Sequence, residues 1–96
     1  MSEFKSPINK FQQLLAIMSE ESGELTQASM KALRACSDIN DFQDSKFQEK
    51  LIEEAGDVYC MLQLMVDYKL INWISLEKRS NEKRDKLKIW STLIDD

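Results

Sequence analysis

Apolar positions recur at intervals of three and four along most of this chain, the spacing that lines one face of an α-helix. Phe11, Leu14, Met18, Leu25, Ala28, Ala32 and Ala35 form the first such seam, and the one position it leaves without an apolar group is Glu21. Ser6-Pro7 reads as its start, since serine caps and proline is tolerated at the first helical position, where its missing N–H is not needed. The run CSDINDFQDS, Cys36 to Ser45, breaks the period with turn-forming residues and is expected to be a loop. Ser45 with Gln48 three residues on resembles a capping box. The second seam then counts Phe47, Leu51, Val58, Met61, Met65 and Tyr68, and its unfilled position is Glu54. Asn72 is placed to cap a third helix with the seam Trp73, Leu76, Ser80, Lys83, Leu87, Trp90 and Ile94, apolar at its ends and polar in the middle. No alternating strand pattern occurs. The expected fold is all-α, a helical bundle of three main helices per chain.

The two seam defects belong to an internal repeat. EESGE, Glu20 to Glu24, returns 33 positions later as EEAGD, Glu53 to Asp57, and the copies hold the only two glycines of the chain. On a helix, Glu21 with Glu24 and Glu54 with Asp57 each stand one turn apart on a common face. A single pair of this kind is ordinary solvated helix surface. Two pairs that interrupt two apolar seams in the same way predict four acids meeting between two packed helices. Ionised carboxylates crowded there repel one another and lose hydration unless a counter-charge is present. Oxygen-only ligands suit a hard cation, so Mg²⁺ is the expected occupant, with Mn²⁺ as a substitute. Gly23 and Gly56, unfavourable within helices, are expected to let another helix or a ligand approach the backbone beside the metal.

Composition narrows the chemistry. Histidine is absent, which excludes a Ser-His-Asp triad, a histidine zinc site and a di-iron bundle built on Glu-x-x-His. A length of 96 residues fits one domain, residues 1–96, whose core is small enough to call for a partner chain. With no apolar run longer than LLAIM, Leu14 to Met18, the chain has no membrane span. The amino terminus, MSEFKSPINK, shows no signal core, so a cytoplasmic location is expected. Cys36 and Cys60 form no paired motif and are read as reduced, buried thiols. The net charge of −4 disfavours nucleic acid as a partner. Between Ser75 and Trp90, however, Lys78, Arg79, Lys83, Arg84, Lys86 and Lys88 outnumber Glu77, Glu82 and Asp85, giving six minus three, or +3, on an otherwise acidic protein. By itself this is a solvated helix face. Phe11, Tyr59, Trp73 and Trp90 are candidates to stack on a base, but Phe11 and both tryptophans fall on seams and are read as packing residues. Met18, Met61 and Met65 are read as core.

The order EExxE followed by ExxD resembles the signature of the MazG-like, all-alpha nucleoside triphosphate pyrophosphohydrolases, and EESGELTQASMKALR is similar to that family's first motif helix. The likeness runs from Phe11 to Lys88. NEKR, Asn81 to Arg84, resembles the family's asparagine and following basic residues, while Glu77 stands where a basic residue is common. The resemblance implies hydrolysis of a nucleoside triphosphate to the monophosphate and pyrophosphate, in the service of nucleotide-pool house-cleaning. Glu21, Glu24, Glu54 and Asp57 would hold magnesium, and Glu20 and Glu53 would hydrogen-bond these ligands or help take the proton from the attacking water. Lys78, Asn81, Lys83 and Arg84, together with Lys31 and Arg34, would meet the phosphates. It also implies a homodimer or homotetramer that completes a four-helix core. A non-catalytic helical adaptor or nucleotide sensor and a carboxylate phosphatase are the alternatives.

Overall fold

The computed structural model describes residues 9–95, and the Ser6-Pro7 start expected for the first helix lies outside them. Four helices follow one another: α1 (Lys10–Ala35), α2 (Ile39–Phe42), α3 (Lys46–Asp67) and α4 (Trp73–Trp90). The three long ones are those the periodicity predicts, and no strand occurs among the described residues, so the fold is all-α. The chain divides into two compact units, one ending at Leu64 and one beginning at Met65.

In the first unit, α1 opens on a reciprocal cap. Asn9 Oδ1 accepts from the Gln12 N–H at 2.8 Å, and Gln12 Oε1 accepts from the Asn9 N–H at 3.0 Å, which satisfies two donors that the first turn leaves without partners. Cys36 ends the helix in extended backbone, its N–H still donating to Ala32 O. The expected loop contains one turn of helix, α2. Asp38 caps it by accepting from the Asp41 N–H, and the Asp41 carboxylate accepts from both the N–H and the hydroxyl of Ser37. These two bonds, the hydroxyl's first, hold the Asp41 carboxyl below its ordinary value. The capping box read at Ser45 is displaced by one residue. Ser45 Oγ does accept from the Phe47 and Gln48 N–H groups, but Gln48 reaches back to the N–H of Asp44, which stands at φ 62°.

The helices α1 and α3 pack antiparallel, because later residues of one share clefts with earlier residues of the other. Ile17 and Glu21 line one cleft with Asp57, Cys60 and Met61, whereas Ala28 and Lys31 line another with Lys50 and Glu54. The buried residues of the described chain are Leu14, Ala28 and Met61 together with Glu21 and Glu54. Both seam defects are therefore inside, at 5% and 3% exposure. The seam ends are not: Phe11 is 55% exposed, and Met18 is only half-buried. Nor are the cysteines buried as expected. Both are free, but Cys36 is half-buried at a helix end, and Cys60, one turn after Asp57, is exposed.

The second unit begins in the last turn of α3. That helix ends without glycine: the Lys69 N–H donates to Val66 O and the Leu70 N–H to Met65 O, a Schellman arrangement that puts Lys69 at φ 65°. Asn72 caps α4 as the sequence predicts, accepting from the Ser75 N–H at 2.8 Å. At the other end the Ser91 hydroxyl and N–H both donate to Leu87 O. No residue of α4 is buried among the described residues, and both Trp73 and Trp90 are exposed.

Candidate metal centre

Helix register alone places the four acids. Glu21 and Glu24 look out from one turn of α1, Glu54 and Asp57 from one turn of α3, and antiparallel packing sets these turns opposite each other. One carboxylate oxygen from each of the four lies within 4.8 Å of all the others. Glu21 and Glu54 are buried at the base of the cluster, and Glu24 and Asp57 are exposed at its rim. This is the convergence the sequence predicts.

Its electrostatics are unfavourable as they stand. Burial raises the Glu21 carboxyl above the ordinary carboxylate value, and the charges of Asp57 and Glu54 push it further in the same direction. Glu54 is raised chiefly by the Glu24 carboxylate against it and also by burial, with the Lys50 ammonium pulling the other way. Glu21 Oε2 and Glu54 Oε2 are buried and have no hydrogen-bond partner. Buried polar atoms are nearly always satisfied, and a cation is one partner that could satisfy these two carboxylate oxygens. Four oxygen donors at this spacing, two of them desolvated, fit a divalent cation.

Lys50 is the cation that reaches the cluster. Its Nζ lies 2.6 Å from Glu53 Oε2 and 3.2 Å from Glu54 Oε1, and these contacts raise its own pKa and lower that of Glu53. No apolar seam or repeat singles it out, although the spacings of three and four from Lys50 to Glu53 and Glu54 are those of ion pairs on a helix. Beside it opens a cleft of about 300 Å³ lined by Glu24, Gln27, Ala28, Lys31, Lys50 and Glu54. Lys31 is thus brought to the cluster, as expected. Arg34, one turn further on, is exposed and does not line that cleft. Of the flanking acids, Glu20 is half-buried, while Glu53 is exposed and engaged by Lys50.

For the glycines, the expected reasons are the approach of another helix or of a ligand, and the structure bears on the first. Beyond its own helix, a Cβ built on Gly23 or Gly56 meets nothing among the described residues of the first unit within 4 Å, so α1 and α3 do not approach each other closely at either glycine. Lys78, Asn81, Lys83 and Arg84 are exposed on α4, in the second unit. There Arg79, Lys83, Lys86, Leu87 and Trp90 line a separate cleft of about 240 Å³, so a basic, aromatic-flanked face exists on that helix. No helix of the described residues is long and apolar enough to cross a membrane. The chain matches no protein-family model, no curated protein and no solved structure.

Proposed function

We propose that this protein is a magnesium-dependent nucleoside triphosphate pyrophosphohydrolase of the MazG-like kind, which cleaves a (d)NTP to the (d)NMP and pyrophosphate. The observation that carries the reading is the pair of buried, partnerless oxygens within the four-carboxylate cluster. A chain with no metal chemistry gains nothing from desolvating two glutamates against two further acids. Glu21, Glu24, Glu54 and Asp57 hold the cation, for which Mn²⁺ can substitute. Once bound, that cation supplies neutralisation of the triphosphate and activation of water for attack on phosphorus.

The chain's own residues supply the remainder. Lys31, on the wall of the adjoining cleft, takes up phosphate charge beside the acids. Asn81, Lys83 and Arg84 on the basic helix are assigned to the phosphates by their resemblance to the family's asparagine and following basic residues, and Lys78 joins them as a nearby cation. Glu53 is tied to Lys50, which leaves the half-buried Glu20 the freer candidate for proton removal. The chain works as a homo-oligomer in the cytoplasm. Exposed Leu33, Ile52, Ile74, Ile89, Trp90 and Leu93 are the apolar surface that assembly would cover.

Release of pyrophosphate from a panel of canonical and modified dNTPs, with and without Mg²⁺, tests the activity. The expected result is metal-dependent release that is lost in Glu54→Gln with helicity unchanged. Release of orthophosphate instead would assign a phosphatase. No release of either from folded, metal-loaded protein would favour an adaptor or sensor. Light scattering that returned an 11.2 kDa particle at micromolar concentration would exclude the oligomer.

A further inference from the structure

The carboxylate of Glu54 is used asymmetrically. Its Oε1 is engaged by the Lys50 ammonium at 3.2 Å, while its Oε2 is the buried atom without a partner. Lys50 is itself held in place from outside the cluster, because the exposed Glu53 carboxylate grips the same ammonium at 2.6 Å. One side chain thus occupies one oxygen of a buried acid and leaves the other free.

We propose that Lys50 is a specificity-determining residue of the metal centre: by holding Glu54 Oε1 it confines Glu54 to a single ligand oxygen and so selects Mg²⁺ over Ca²⁺. The inference rests on the reading of the cluster as a divalent-cation site. Its chemical basis is the different demand of the two ions. Mg²⁺ takes six oxygens in a tight octahedron and keeps several waters, which suits carboxylates that give one oxygen each. Ca²⁺ takes six to eight at longer distances and gains from carboxylates that give two. An ammonium donating to Oε1 competes with a cation for that oxygen, so the two-oxygen mode costs Glu54 part of its bond to Lys50. The positive charge on Lys50 opposes either ion to the same degree, both being divalent, so its effect cancels when the two affinities are divided. The ratio isolates the number of oxygens offered.

The test displaces Mn²⁺ from the nucleotide-free chain with Mg²⁺ and with Ca²⁺, following free Mn²⁺ by electron paramagnetic resonance. It compares wild type, Lys50→Met, Lys50→Ala and Lys50→Arg, each checked for helicity by circular dichroism. The Met and Ala variants should bind both ions more tightly and shift the ratio of affinities toward Ca²⁺ by about tenfold, the scale on which groups that orient metal ligands act. Arginine, which also donates to Oε1, should restore the wild-type ratio. A ratio in Lys50→Met and Lys50→Ala within about twofold of wild type would overturn the inference while leaving the metal centre intact. A wild-type chain that takes up no Mn²⁺ would instead remove the metal centre, and this inference with it.

Discussion

The substitution Glu21→Gln should change stability in opposite directions depending on whether a divalent cation is supplied. Glu21 is 5% exposed, has one orphaned oxygen and lies within 4.8 Å of three other acids. At an effective dielectric of about 20, a pair of charges at that distance repels by roughly 3.5 kcal/mol before solvent screening. Glu24 and Asp57 are at the exposed rim and are screened by solvent, and partial protonation relieves the remainder. About 1–2 kcal/mol is therefore expected from replacing this acid by its neutral isostere in chelator. For a chain of this size 1 kcal/mol moves the melting temperature by about 4–8 °C, so the variant should melt about 4–16 °C above wild type in EDTA.

With Mg²⁺ present the order should reverse. A cation at a hundred times its dissociation constant stabilises the folded wild type by about 2.7 kcal/mol, and a chain lacking one buried ligand loses most of that gain. Thermal melts of both proteins in EDTA and in saturating Mg²⁺, followed by circular dichroism, complete the comparison. A variant that melts below wild type in EDTA would mean that Glu21 has a stabilising partner within the chain. An equal gain from Mg²⁺ in both would mean that Glu21 is no ligand. Either outcome refutes the reasoning.

Metal-free wild type should lose stability as pH rises. Glu21 and Glu54 are raised above their ordinary 4.5, so between that value and their folded values the native state binds more protons than the unfolded one, and melts in EDTA should fall through that window. Glu53 and Asp41, which are lowered, act in the opposite sense below their ordinary values of 4.5 and 3.8, so very acidic solution should not extend the gain. Lys69→Gly should raise the melting point by the equivalent of about 1 kcal/mol, because lysine at φ 65° bears the left-handed strain that glycine lacks; a lower melting point would show that the Lys69 side chain stabilises the turn. Gly56→Ala should add about 0.5–1 kcal/mol of helix stability in the metal-free monomer, since nothing lies within 4 Å of the new methyl. Should that variant keep its stability gain and lose Mn²⁺ or nucleotide binding, the space beside Gly56 belongs to a ligand.

What the sequence made legible follows from what helix periodicity constrains. A seam fixes which residues face inward before anything is known of how helices pair, so a charge on a seam must be buried, bound or both; Glu21 and Glu54 announce themselves on that ground, and the structure buries both. Glu24 and Asp57 follow from one turn of helix. The ends of the elements were less legible where side chains took over from the usual punctuation. Lys69 closes a turn that lysine rarely closes, and Asp38 and Asp41 build a turn of helix inside a segment whose composition says loop. Apolar periodicity also overstated burial: Phe11 and Trp90 keep the period but stand exposed. Lys50 shows the deeper limit. Its spacing to Glu53 and Glu54 is as plain as that of the acids, yet such spacing is common on solvated helices and singles out no residue. Its importance depends on Glu54 being buried with one oxygen already committed, a property of the assembled pair of helices that neither segment carries alone.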